Sequence, residues 1–229
     1  MIILNPTNHA CFIDTVQSLI NEFKDDKTND VVIVGIYEVS KIYTFDYFKK
    51  LYPNSKIIAF NQEPLMAEQR QFMHKLFYNF LVEADEIWDY DERQVDLLKS
   101  INKNTKLHIL KPYKDWSKYP KVDKDIDILF YGSINEHRSK ILNELKKKYK
   151  VLVLSNNTRN PVWGDSLDKL ILRSKVLLNI HFYYECSMQE QARMIRWIGS
   201  PCRIISEKSY KNYLNVEEMT YDEILKLEI

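Results

Sequence analysis

Short apolar runs rich in Val, Ile and Leu recur along the chain between segments whose apolar residues return every three or four positions. The runs predict strands at 2–5, 31–37, 56–61, 86–90 and 106–111, and again at 126–131, 151–155, 176–182 and 203–206. Phe12, Ile13, Val16, Leu19, Ile20 and Phe23 carry the i, i+3, i+4, i+7 spacing of a helix with one buried face, and 67–82 and 141–149 repeat it. Strands alternating with helices in this way imply parallel sheets with helical crossovers, so the expected fold class is α/β.

The alternation breaks at 112–125, a polar stretch with prolines at Pro112 and Pro120, which reads as an interdomain linker able to hinge. It divides the chain into halves 1–115 and 116–229. Open parallel sheets take ligands at the carboxyl ends of their strands, so the cleft between the halves is the expected site. The 221–227 segment is short and amphipathic and offers an apolar face to the first half.

Composition then excludes several classes. With 45% apolar residues, the 229-residue chain can build packed cores. Its 33 basic and 32 acidic side chains nearly cancel, which argues against nucleic acid or an anionic membrane as partner. Cys11, Cys186 and Cys202 fit neither a disulfide framework nor a zinc motif, and a reducing cytoplasm is expected. The start lacks the basic region of a signal peptide, and no apolar stretch approaches the ~18 residues of a transmembrane helix. The four glycines are spaced for neither a Gly-x-Gly-x-x-Gly fingerprint nor a Walker loop, so any phosphate site must use a sparser loop.

Two segments carry candidate chemistry. Residues 127–138 read as a strand, a tight Gly132-Ser133 turn and a helix start with Arg138 in its first turn. There, free backbone N–H groups and the helix dipole favour a phosphate, and the guanidinium can add a bidentate contact. Residues 175–183 read as a second strand ending in His181, followed by Glu190 and Arg193. Gly132-Ser133 alone is an ordinary turn, and Glu190 alone a solvated carboxylate; their combination with Arg138 carries the reading.

These residues resemble the glycosyltransferase 4-like group of GT-B glycosyltransferases. The similarity rests on Phe130-Tyr131-Gly132-Ser133, Arg138, Leu178-Asn179-Ile180-His181-Phe182-Tyr183, Glu190, Arg193 and Ile205-Ser206-Glu207. In the first half, Phe60-Asn61-Gln62-Glu63-Pro64-Leu65 is similar to the group's Tyr-Asn-x-Glu-x-Leu. Likewise, Ala84-Asp85-Glu86-Ile87-Trp88-Asp89-Tyr90 is similar to its Ala-Asp-x-Val-Trp-Asp-Tyr. The resemblance implies two Rossmann-like domains facing a cleft. The first, 1–115, would bind the acceptor, and the second, 116–229, a nucleotide-diphosphate sugar of UDP or GDP type. It implies sugar transfer to a hydroxyl of a glycan or glycoconjugate, without a metal or other cofactor, by a monomer or weak dimer in the cytoplasm, or the host cytoplasm for a viral protein. The diphosphate would lie at Gly132, Ser133 and Arg138, the ribose on Glu190, and the base near Ser155, Asn156, Asn157 and Trp163, with His181 and Arg193 also on the donor side.

One departure bears on mechanism. Retaining members carry Glu-x7-Glu, and Phe182 stands where the first Glu would fall. An inverting reaction needs a base from the first half, and His9, in the loop after the first strand with Asp14 as an orienting group, is the first candidate; Glu63 is the second. A nucleotide-sugar epimerase, a sugar-binding module and a catalytically inactive relative are the competing readings.

Overall fold

The computed structural model describes residues 1–67, 74–155 and 162–229. The chain forms two compact units: 1–113 with 191–195, and 114–190 with 196–229. Each holds one five-stranded parallel sheet, so the fold is α/β.

In the first unit the order is β1 (Ile2–Leu4), α1 (Ile13–Glu22), β2 (Val31–Val34), α2 (Ile36–Val39), α3 (Phe45–Leu51), β3 (Ile57–Asn61), α4 (Lys75–Glu83), β4 (Glu86–Asp89), α5 (Glu92–Lys99) and β5 (Thr105–Leu107). The strands lie side by side in chain order. Val31, Ile33, Ile57, Ala59 and Ile87 pack against Ile36, Val39, Phe45, Phe48, Phe77, Phe80 and Leu81 of the helices. Val32, Val34, Ile58 and Phe60 are buried on the other face, where Phe23, just past α1, stacks on Trp88. Burial on both faces explains why β2 and β3 are continuous apolar runs.

The run expected as one strand over 31–37 stops at Val34. Gly35, at φ 76°, turns the chain into α2, and the Phe12 ring lies 2.4 Å from where a Cβ would stand. A side chain there is excluded both by the backbone and by the ring. The helix expected over 67–82 is described only as α4; residues 68–73 lie outside the described residues.

The second unit contains β6 (Ile126–Tyr131), α6 (Glu136–Leu145), β7 (Val151–Leu154), α7 (Gly164–Leu172), β8 (Ser174–Asn179), β9 (Arg203–Glu207), β10 (Glu217–Met219) and α9 (Tyr221–Leu225). The short helix α8 (Gln191–Met194), between β8 and β9 in sequence, groups with the first unit. The sheet order is β10-β9-β8-β6-β7. Ile128, Phe130, Val176, Leu178 and Ile205 form a core with Ile141, Leu142 and Leu145 of α6 and Ile224 of α9. The C-terminal segment therefore covers its own sheet rather than the first half, because Ile224 and Leu227 complete the α6 side of this core. Helix α6 starts at Glu136, which puts Arg138 in its first turn as expected, because Asn135 caps it by accepting the Arg138 N–H. The tenth strand was not expected: Glu-Glu-Met has no apolar run, and it forms by parallel pairing with β9.

Residues 114–119 are not a free linker. Trp116 is buried and donates through Nε1 to the Arg196 carbonyl. Lys114 and Tyr119 both bond Asp168 of α7, which also pairs with Arg196 at 2.7 Å. This stretch is fixed to the second unit, which removes most of the expected hinge.

Candidate functional site

In an open parallel sheet, a ligand crevice forms where successive strands depart in opposite directions, leaving a gap at their carboxyl ends. The first sheet, in sequential order, has no such reversal. The second has one: β7 lies on one side of β6, and the chain then crosses to β8 on the other. Both candidate segments leave the sheet at this point, 132–138 from β6 and 180–190 from β8.

The segments are tied together by side chains. Gly132 adopts φ 141°, a conformation that L side chains rarely adopt, and turns the chain out of β6. Its N–H donates to the Leu154 carbonyl at 2.9 Å, so it extends the β6–β7 ladder and is not the free phosphate donor expected from the turn. Asn135 donates through Nδ2 to the Phe182 carbonyl at 2.7 Å while capping α6. Arg138 is only 1% exposed. Its Nε and Nη2 donate to the Ile180 carbonyl at 2.9 and 2.6 Å, and its Nη1 donates to the Ser133 carbonyl at 2.8 Å. Its Nη2 also reaches both Glu190 oxygens, at 2.8 and 2.9 Å. The rings of Phe130 and Phe182 lie 5.3 and 5.1 Å from the guanidinium carbon. Arg138 is thus buried and committed to the two segments that leave the sheet at the reversal, and the reading of it as an arm extended to a diphosphate does not describe this geometry.

Glu190 receives the Phe182 N–H on Oε1 at 3.0 Å as well as Arg138, and its side chain keeps 20% exposure. A carboxylate accepts hydrogen bonds at about four lone-pair sites, so bonding to a hydroxyl lies within the chemistry of Glu190. His181 is buried; its N–H donates to Glu207 Oε2 at 2.9 Å, and its Nδ1 has no partner. Glu207, at the end of β9, also binds His137 Nε2 at 2.8 Å, and the His137 ring stacks on Tyr184. Trp163 precedes α7, edge-on to Tyr131 at 6.4 Å, with a buried Nε1–H lacking a partner. Asn157 lies outside the described residues. Arg193, half-buried in α8, belongs to the first unit's grouping, unlike the other donor-side candidates that are described.

In the first unit, His9 and Glu63 both come close to Cys11. His9 Nδ1 accepts the Cys11 N–H at 3.4 Å, and burial, with the Glu63 and Glu38 carboxylates adding to it, pushes the Cys11 thiol up to about 12. With Nδ1 accepting, neutral His9 carries its proton on Nε2. A base acting through Nε2 requires the opposite tautomer, with Nδ1–H held by an acceptor. Asp14, the expected orienting group, accepts from the Tyr113 hydroxyl at 2.5 Å.

No protein-family model matches the chain. It is similar to uncharacterized protein L140 of Acanthamoeba polyphaga mimivirus, with 26% identity over 242 residues, covering 95% of this chain and 75% of that protein. Uncharacterized proteins L138 and L137 of the same virus are also similar. The first is 27% identical over 146 residues, 60% of this chain and 14% of its own length. The second is 33% identical over 91 residues, 40% and 12% respectively. The chain therefore matches a small part of those two longer proteins and most of L140.

Sequence reasoning missed a buried polar network in the first unit. Asp89, wholly buried at the end of β4, accepts from Asn61 Nδ2 at 2.7 Å, the Asp91 N–H at 2.8 Å and Gln94 Nε2 at 3.0 Å. Burial outweighs these bonds and raises its carboxyl to about 7. A carboxylate at the carboxyl edge of the expected 86–90 strand was the available signal. Among the described residues, no group of three or more His, Cys, Asp or Glu could hold a metal ion, and no helix is long and apolar enough to cross a membrane.

Proposed function

We propose that the chain is a GT-B glycosyltransferase that moves a sugar from a nucleotide-diphosphate donor to a hydroxyl acceptor. The observation that carries this reading is the reversal of strand order at β6 and β8. The two segments that resemble the family's donor motif emerge there, joined through Asn135, Arg138 and Glu190.

Glu190 would accept the ribose hydroxyls, and the edge of Trp163 would meet the base. The diphosphate would lie over the Ser133 turn and the start of α6, where the dipole favours negative charge. Charge grows on the departing diphosphate, so fixed dipoles there lower the barrier more than they lower the bound state. The base would come from the first unit. His9 and Glu63 are the two candidates, and the His9 tautomer favours Glu63.

The test is thermal denaturation with UDP, GDP and ADP, each with and without EDTA, followed by product analysis with the stabilising nucleotide's sugars. A ligand at about 100 times its dissociation constant stabilises by about 2.7 kcal/mol. Stabilisation that survives EDTA, and sugar transfer that needs an acceptor, are expected. Sugar isomerisation without acceptor would replace the reading with an epimerase. Absence of any nucleotide response would remove it.

A further inference from the structure

Asp89 is a costly residue at its position. An ionised carboxylate with no exposure to solvent must be compensated by hydrogen bonds or destabilise the fold. The hydrogen bonds it accepts come from the amides of Asn61 and Gln94 and the N–H of Asp91. A carboxylate only accepts, so it compels both amides to turn their NH2 groups inward. Their carbonyl oxygens then face outward, and both meet the same loop. Asn61 Oδ1 accepts the Glu63 N–H at 3.2 Å, and Gln94 Oε1 accepts the Leu65 N–H. Asn61 Nδ2 also reaches the Glu63 carbonyl at 3.1 Å, closing a ring of bonds around that residue. The next residue of β4's exit adds to it: the Tyr90 hydroxyl donates to the Gln62 carbonyl at 3.2 Å. The strands supply the frame, since Asn61 and Asp89 are paired across β3 and β4.

We infer that Asp89 is a positioning residue that, by dictating the orientation of the Asn61 and Gln94 amides, fixes the backbone that presents Glu63 to the acceptor. The assignment rests on the proposed transferase reading for what Glu63 does, but the organisation of the loop stands apart from it. Asp89→Asn keeps the shape and adds an NH2 group where only acceptance was possible. Asn61 must then rotate its amide to offer oxygen inward, which points NH2 at the Glu63 N–H and breaks that contact. Adding Asn61→Asp to Asp89→Asn moves the carboxylate to the neighbouring strand and restores an acceptor for both the Asn at 89 and the Glu63 N–H.

The test is hydrogen exchange on the full chain at about pH 8, where Asp89 is charged, with turnover measured on the same samples. In Asp89→Asn, exchange at Glu63 and Leu65 should rise at least about tenfold while Ala59 in β3 keeps its protection. Turnover should fall with nucleotide affinity unchanged. The double variant should recover both. Unchanged exchange at 63 and 65, or an equal rise at Ala59 marking global unfolding in single and double variants alike, would overturn the inference. Faster loop exchange with normal turnover in an active protein would also overturn it, because the loop's order would then be irrelevant to the reaction. A wild-type chain that transfers no sugar defeats the transferase reading alone; the exchange pattern still decides whether Asp89 orders the loop.

Discussion

Replacing Arg138 separates a phosphate ligand from a residue that shapes the crevice. The guanidinium bonds the Ile180 carbonyl, the Ser133 carbonyl and both Glu190 oxygens, at 1% exposure. Arg138→Met removes the charge that pairs with the Glu190 carboxylate at 2.8 Å. Breaking a fully buried pair costs about 3–5 kcal/mol. Glu190 keeps 20% exposure and the Phe182 N–H, so the low end, about 3 kcal/mol, is expected here. Arg138→Lys keeps the charge, but one ammonium cannot span two carbonyls and a carboxylate, and it should cost about 1–2 kcal/mol. The decisive assay is calorimetric titration of Arg138→Lys with a nucleoside diphosphate and with the matching nucleoside. If Arg138 acts by holding Glu190 and the β8 exit in place, both affinities fall by the same factor. A direct contact with the diphosphate would weaken the diphosphate alone, by about ten- to hundredfold for a lost charged hydrogen bond. That outcome, or a Met variant destabilised by less than about 1 kcal/mol, would refute the argument.

Gly132→Ala should destabilise by about 1–3 kcal/mol in urea titration, because φ is 141° there; an unchanged midpoint would show that the turn relaxes freely. Glu63→Gln should lower kcat by about 10²–10⁴ while His9→Ala changes it by less than about tenfold, and the reverse ranking in steady-state assays would return the base to His9. Burial raises the Asp89 carboxyl from its ordinary range to about 7, with Asp91 nearby adding to the rise. Between about pH 4 and 7 the folded chain therefore holds a proton that the unfolded chain has released, so this group's contribution to stability falls as pH rises through that window and is flat above it. Urea midpoints of Asp89→Asn should lack that component relative to wild type; identical pH slopes would contradict it.

The α/β class was legible because strands buried on both faces, such as β2 and β3, are near-continuous apolar runs, and nine of the ten strands among the described residues lie within a few residues of where they were expected. β10 escaped because its Glu-Glu-Met carries no such signature, its place being set by pairing with β9. The limits of helices were less legible than their existence. Gly35 ends β2 through a backbone conformation and a ring contact with Phe12, neither visible from local apolarity. At the site, residue types were legible and their directions were not. Arg138 and Glu190 lie 52 positions apart in sequence and meet at 2.8 Å, yet a sequence pattern is equally satisfied by an arginine facing solvent and by one donating inward to two main-chain carbonyls.

Strand order was the least legible feature, and it bears most on where chemistry can occur. Both halves read identically as alternating strands and helices, so the sequence offered two equivalent sheet edges. Their orders differ: the first sheet runs in chain order, the second reverses at β6. Adjacent crossovers on a reversing sheet splay apart and leave room for a ligand, whereas sequential crossovers close on one another. The polar residues follow the same division. At the reversal, Asn135, Arg138 and Glu190 tie two loops together, with Glu190 still reaching solvent. At the ends of β3 and β4 the corresponding polar residues, Asn61 and Asp89, are fully buried and bonded to each other, suited to holding a loop rigid rather than to meeting a ligand. Strand order therefore favours a ligand at the second sheet, while the polar ends of β3 and β4 serve to order a loop of the first.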